Sequence, residues 1–353
     1  MNIKLKARLL LALLISIISL HGQTKQQWTA ERANTWYKQY KWLNGANYIP
    51  SNAINQLEMW QADTFSPELI DKELMLAKSI GFNVMRVFLH SMVWEQDPNG
   101  FRKRIDQFLS IASKNSIQIM FVFFDDCWNS NPKPGKQPDP VVGKHNSGWV
   151  QDPGDMPSDE TTFTKLEKYV KDILNTFGND RRILLWDLYN EPGNSKKENN
   201  SLPLLKKVFE WAREINPTQP LTAGFWSLQL KDINTFILTN SDVITYHSYE
   251  NPLNHRERLL LLKAMGRPVI CTEYMARSIN SRFSNIMPML KSENVGAINW
   301  GLVQGKTNTI YGWEHKAENN EEPDEWFHDI YRSDFTPYRK DEIDLIKKLN
   351  HKR

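Results

Sequence analysis

The chain alternates short unbroken apolar runs with longer segments whose apolar residues recur every three or four positions. The runs "FNVMRVFLH" (82–90) and "IQIMFVFFDD" (117–126) are short, aromatic and β-branched, which predicts strands buried on both faces. Between them, "FRKRIDQFLSIASKN" places Ile105, Phe108, Leu109 and Ala112 on one face of a helix. Phe163, Leu166, Val170, Ile173, Leu174 and Phe177 mark another helix, closed by Gly178. The pattern continues with strands at 183–190, 219–224, 242–249, 268–274 and 297–302, and helices near 202–214, 229–238, 255–264 and 280–292. With "KWLNGANY" (41–48) as the opening strand, it predicts eight strands, nearly all followed by a helix.

Eight such units fit a single (β/α)8 TIM barrel, in which working side chains stand at the C-terminal ends of the strands. An open doubly wound sheet is the competing arrangement, but no glycine-rich phosphate loop follows any strand. No repeat or low-complexity linker divides the chain, so residues 23–353 are expected to form one domain. Two connections, 127–160 after the third strand and 303–340 after the eighth, are too long for simple turns. Both are rich in Pro, Gly and Trp and are expected to wall the mouth of the barrel. The acidic stretch at 318–325 reads as a solvated loop rather than a metal site.

The first 22 residues stand apart. Lys4, Lys6 and Arg8 precede the apolar run "LLLALLISIISL", which predicts an export leader and a secreted or periplasmic protein, with a retained anchor as the alternative. Without those three basic residues the remaining 41 Lys and Arg equal the 41 Asp and Glu, so nothing suggests capture of nucleic acid or anionic lipid. Cys127 and Cys271 make no disulfide framework and are expected to be free and structural. Thirteen Trp and eleven Tyr exceed what a core needs, leaving flat apolar platforms for ligands with C–H faces and polar edges.

The strand ends carry the candidate chemistry: Arg86 and His90, Asp125 and Asp126, Asn190 and Glu191, Trp226, His247 and Tyr249, Glu273, and Trp300. The fourth strand, in "LLWDLYNEPGN" (184–194), ends on a carboxylate just before a Pro–Gly turn. A barrel sets the ends of its fourth and seventh strands across the mouth from each other, and each ends in a glutamate. Two such carboxyls suit cleavage of an acetal. One must give a proton to the departing oxygen, and the other must meet the cationic sugar carbon as an anion.

"WDLYNEP" resembles the Asn–Glu–Pro signature of the clan A glycoside hydrolases, and the closest resemblance is to family 5, the cellulase-like group. Arg86, the "His247–Ser248–Tyr249" stretch and Trp300 fall at matching strand ends, over about residues 40–305. The resemblance implies that Glu191 is the general acid/base and Glu273 the nucleophile. Asn190 would donate to the sugar 2-hydroxyl, Tyr249 and Arg86 would bond Glu273, and His247 would set the protonation of Glu191. Trp300 would floor the sugar subsite before the cleaved bond. The chain departs from the family at "DDCW" (125–128), where members often carry histidines; Asp125 and Asp126 are expected to grip sugar hydroxyls there, with Trp128 stacking.

Some readings stay open. Glu191 could cap a helix, Glu273 could be an ion-pair partner and Arg86 a bridge between strands. His90 is either a satisfied buried histidine or a substrate contact, and Trp60, Trp94, Trp149 and Trp313 are wall or core. Asp187, two residues before Tyr189, is expected to face the barrel interior with it. Together these features predict a retaining β-glycosidase acting on an oligo- or polysaccharide with no metal or organic cofactor. A non-catalytic sugar-binding barrel and a transglycosylase are the alternatives.

Overall fold

The computed structural model describes residues 26–155, 159–315 and 321–351. The expected leader, residues 1–22, lies outside the described residues, as does part of the acidic stretch at 318–325. Among the described residues no helix is long and apolar enough to cross a membrane.

Nine parallel strand segments form one sheet: β1 (Asn44–Asn47), β2 (Val84–Phe88), β3 (Gln118–Asp125), β4 (Ile183–Asn190), β5 (Leu221–Thr222), β6 (Gly224–Phe225), β7 (Ile244–His247), β8 (Val269–Glu273) and β9 (Gly296–Trp300). Their order, β5-β4-β3-β2-β1-β9-β8-β7-β6, brings the two ends of the sheet together at β5 and β6. These two flank Ala223 and are halves of one interrupted strand, the fifth in the barrel. The architecture is therefore a (β/α)8 barrel, with the fifth strand split where the sequence pattern predicts one run. β5 pairs only with β4, β6 only with β7, and the Thr222 hydroxyl crosses the break to Thr245 at 2.8 Å.

The helices follow the apolar periodicity. Helix Pro98–Lys114 buries Ile105, Phe108, Leu109 and Ala112, and helix Phe163–Phe177 buries the six positions that mark it. The layer between sheet and helices is heavily aromatic: Trp60 touches Phe101, Phe108 and Phe121, and Trp186 stacks on Phe121 and Phe123. Inside the barrel, Val84, Met120, Leu185, Ile270 and Ile298 fill the N-terminal end, with Leu43 and Tyr37 in the same cluster. Above this apolar plug the interior turns polar, and Arg86 and Asp187 occupy the next level. Asp187 thus takes the expected interior place. Tyr189 does not share it: it packs on Phe124, which packs on Tyr169 of helix Phe163–Phe177, so it faces the helix layer.

Arg277 ties the long C-terminal connection to the barrel. Fully buried, it donates to both carboxylate oxygens of Glu342 (Nε at 3.0 and Nη2 at 2.7 Å) and to the carbonyls of Trp326, His328 and Asp329. Arg277→Met removes five donors and strands their acceptors. It is expected to cost about 3–5 kcal/mol, read from the urea midpoint and slope. A loss below about 1 kcal/mol, the usual size for an exposed pair, would show that the bonds add little.

Candidate active site

Glu191 follows the last residue of β4 in a left-handed backbone conformation, φ +43°. Such a conformation in a non-glycine residue persists only where the surroundings enforce it. The enforcement is visible. Asp126, fully buried, accepts from the Gly193 N–H at 2.7 Å, the Ser201 hydroxyl at 2.5 Å and the Tyr189 hydroxyl at 2.9 Å, with Lys197 Nζ at 3.3 Å. Gly193 is itself left-handed (φ +87°), and a Cβ there would come within 2.9 Å of the Glu198 carbonyl. The Pro192–Gly193 turn is thus clamped to the end of β3, and the Glu191 carboxyl swings over the barrel axis.

There it meets Glu273, the last residue of β8. One oxygen of each carboxyl and a ring nitrogen of His247 lie within 4.8 Å of one another. Glu273 is held by two donors: Arg86 Nη1 reaches Oε1 at 2.9 Å, and the Tyr249 hydroxyl reaches Oε2 at 2.9 Å. Arg86 also donates to Asp187 through Nε (2.9 Å) and Nη2 (2.8 Å), to Asn47 Oδ1 (2.8 Å) and to Asn190 Oδ1 (2.7 Å). A fully buried guanidinium cannot shed its proton, so it is a fixed positive charge under the mouth.

Glu191 has a different set of neighbours. His247 Nδ1 lies 2.7 Å from Oε1, Cys127 Sγ lies 3.2 Å from Oε2, and the Asn194 amide donates to Oε2. Burial raises both glutamates above the ordinary carboxyl range, and the Glu191 charge raises Glu273 further. The two sites titrate as a pair, with one proton retained after the first is lost. The guanidinium and the Tyr249 hydroxyl both favour an anion at Glu273, so the retained proton belongs on Glu191. Burial pulls His247 down to about 4, leaving a neutral ring at neutral pH. We assign its tautomer accordingly: Nδ1 accepts from the Glu191 carboxylic acid, and Nε2–H points toward Glu273 Oε1 at 3.6 Å. Burial also pushes the Cys127 thiol far up, so it stays an S–H donor to Glu191.

Both carboxyls line a cavity of about 500 Å³. Of the residues singled out by sequence, Asn190, Trp128, Trp226, Tyr249 and Trp300 line it too, while His247 lines an adjoining cavity with Glu191. Trp300 is backed by Trp149 and Phe88, with ring centroids 5.5 and 6.0 Å away, so its exposed face is a fixed platform. The Asn190 amide is oriented from both sides, its oxygen taken by Arg86 and its nitrogen donating to Asp125 Oδ1 at 2.8 Å.

Three expected sugar contacts are placed elsewhere. Asp125 accepts from the Trp149 indole at 2.7 Å, the Cys127 backbone N–H at 2.9 Å and Asn190, which leaves it a support for Asn190. Burial moves its carboxyl up to about 7. Asp126 serves the Gly193 turn, outside the cavity. His90 is a buried helix cap: Nδ1 accepts from the Met92 N–H, and Nε2 meets the Gln151 carbonyl at 3.2 Å. Trp60 is core, Trp94 bonds Asp172, Trp149 supports Asp125, and Trp313 lines the cavity.

The sequence reading missed Cys127 as a partner of Glu191, and also Asn194, Ser195, His145, Asn146 and His328 in the cavity wall. Asn194 had a local signal, since it sits three residues past Glu191 across a turn. Ser195 follows it in the same turn, and the others arrive from the two long connections, which wall the cavity as expected. Among the described residues, Glu191, His247 and Glu273 are also the grouping close enough to ligate a metal. Arg86 beside Glu273 already supplies positive charge there, and Glu191 is turned to His247, which suits a proton-sharing pair better.

A family model described as cellulase (glycosyl hydrolase family 5) matches residues 46–306. The chain belongs to glycosyl hydrolase family 5. The match runs from β1 to just past β9, so this glycoside hydrolase carries the family's fold through every strand end described above. Among solved structures, the endo-1,4-beta-D-mannanase of Thermotoga petrophila RKU-1 is similar at 16% identity and TM-score 0.55, over 88% of this chain and 99% of that one. GH5_18 of Streptomyces cattleya, solved with GlcNAc, is similar at 13% identity and TM-score 0.60, over 87% and 79%. The exo-beta-1,4-mannosidase Op5Man5 of Opitutaceae bacterium strain TAV5 gives 16% identity and TM-score 0.62, over 88% and 59%. No curated protein sequence matches the chain.

Proposed function

We propose that this family 5 hydrolase is a retaining β-glycosidase working by double displacement. The observation that carries the reading is the approach of Glu191 and Glu273 oxygens to within 4.8 Å. Direct attack requires carboxyls about 5–5.5 Å apart, whereas an inverting pair leaves about 6.5–9.5 Å for a water. In the first step the Glu273 carboxylate attacks the anomeric carbon from below while Glu191 gives its proton to the departing oxygen. Glu191, now a base, then takes a proton from the water that releases the sugar. Asn190, with its amide fixed by Asp125 and Arg86, presents an N–H to the 2-hydroxyl. Arg86 and Tyr249 keep Glu273 anionic and aimed.

Mannose is the sugar we favour, because the similar structures include a mannanase, a mannosidase and a GH5_18 enzyme solved with Manb1-4GlcNAc. In the same reading residues 1–22 act as an export leader, so the enzyme meets its glycan outside the cytoplasm. The test is proton NMR of the first product during hydrolysis of 4-nitrophenyl β-mannoside, β-glucoside, β-xyloside and β-galactoside. The β-anomer should appear first and mutarotate. Initial release of the α-anomer would overturn double displacement. An absence of turnover on every sugar would favour a non-catalytic barrel.

A further inference from the structure

The two long connections do more than flank the cavity; they are joined to each other. The Asn146 backbone N–H donates to the Thr307 carbonyl at 2.8 Å, and His145 Nδ1 donates to the Tyr311 carbonyl at 2.8 Å. The Asn308 amide donates to the Val141 carbonyl at 3.0 Å. The His145 ring packs 5.3 Å from that of His328, whose backbone is held by Arg277. The result is one continuous wall, anchored to the barrel and crossing one end of the cavity.

The other end is different. Beyond Glu191, Trp226, Tyr249 and Trp313, the space continues into an adjoining cavity of about 450 Å³. Its far side is made of Glu250, Asn251, Asn254, Arg258 and Ile279, which are half-buried or exposed. Glu191 lines both lobes, but Glu273 lines only the walled one. The nucleophile must lie under the sugar whose anomeric carbon reacts, and the acid must reach the bond leading away from it. The walled lobe therefore takes the sugar that becomes bonded to the enzyme, and the open lobe takes the leaving group.

Two acceptors inside the wall lack partners. His328 Nε2 and Asn146 Oδ1 are both buried, each on a residue 1% exposed, and neither has a hydrogen bond. His328 Nδ1 is committed to the Met275 carbonyl at 2.5 Å. Burial holds this ring neutral, so Nε2 carries a lone pair and no proton. A buried acceptor with no donor is costly, and a bound hydroxyl removes that cost. Hydroxyls at the far edge of a sugar are free only when the unit is terminal; in an internal unit one of them carries the next sugar.

Resting on the retaining-glycosidase reading, we infer that the enzyme is exo-acting. It takes a single non-reducing-end sugar into the walled lobe, and His328 and Asn146 recognise that unit's free hydroxyls. A chain continuing past this sugar would have to cross the 141–146 and 307–311 wall.

The experiment compares 4-nitrophenyl β-mannoside, β-glucoside and β-xyloside with the matching β-1,4-biosides, by rate of nitrophenol release and by chromatography of products. Exo action gives direct nitrophenol release from a monoside, while the matching bioside first loses its terminal sugar as a free monosaccharide. Faster nitrophenol release from the bioside, with intact disaccharide as product, would overturn the inference and leave the glycosidase reading standing. No cleavage of any compound would remove both. His328→Ala and Asn146→Ala, each confirmed folded by circular dichroism, should lower kcat/KM on the monoside roughly 10–100-fold, mostly through KM, with an unchanged pH profile. If both variants keep the wild-type KM, the two residues do not recognise the terminal sugar.

Discussion

Glu273→Ala is expected to abolish turnover, with kcat falling roughly 10⁴-fold or more, as when other enzymes lose a covalent nucleophile. The fall should be the same for good and poor leaving groups, because the anion beneath the anomeric carbon is needed whatever departs. Added azide should restore turnover by entering from the vacated face, and the product would be the α-glycosyl azide. The protein should remain folded. The variant loses a charge that was buried, which offsets part of the cost of leaving Arg86 with Asp187 as its remaining carboxylate partner. A variant retaining more than about a tenth of wild-type activity would remove Glu273 from the covalent role, since even a general acid or base contributes about 10²–10⁴-fold.

Glu191→Ala should separate substrates that the first variant treats alike. Loss of the proton donor is expected to cost about 10²–10⁴-fold on natural glycosides, whose leaving oxygen is a poor one. On dinitrophenyl glycosides, which leave without a proton, bond cleavage should be nearly spared and release of the enzyme-bound sugar should become limiting. Azide should then give the β-glycosyl azide. The pH profile carries the same assignment. Activity needs Glu273 ionised and Glu191 protonated, so it falls at low pH as Glu273 gains a proton and at high pH as Glu191 loses its own. Because burial raises Glu191, the alkaline fall should lie above the ordinary glutamate value. Glu191→Gln should erase that alkaline limb from the residual activity on glycosides whose leaving group needs a proton. If the limb persists, the proton donor is another group.

The barrel was legible because its strands are short, apolar and bounded, and its helices keep a strict apolar face. The helix Phe163–Phe177 and the strand Ile183–Asn190 fall where the pattern places them. The strand ends were legible for a simpler reason: a barrel gathers all of them in one place, so polar residues there become neighbours. What pattern alone does not reveal is which side of a strand a terminal residue takes. Phe123 and Phe124 are successive residues that both pack on Tyr169 of the helix layer, a break in strict alternation. Asp125 then turns in toward Asn190, and Asp126 turns out to clamp Gly193. Two adjacent aspartates read from the sequence as one sugar-gripping pair therefore have separate, supporting tasks. His145, Asn146 and His328 had no local signal at all, since they reach the cavity through contacts between connections more than 150 residues apart in the chain.

The seam at Ala223 adds a directional property. Only two pairings join β5 to β4 and two join β6 to β7, as few as join β8 to β9, and here each half-strand is itself only two residues long. Short ladders open at lower free-energy cost than long ones. Trp226 follows directly, and Gly224 faces His247, whose Nε2 would lie 3.2 Å from any side chain placed there. This interrupted, short-stranded arc thus borders the exit taken by the departing half of the substrate. The half that becomes bonded to the protein rests against Trp300, which Trp149 backs, and against the laced connections.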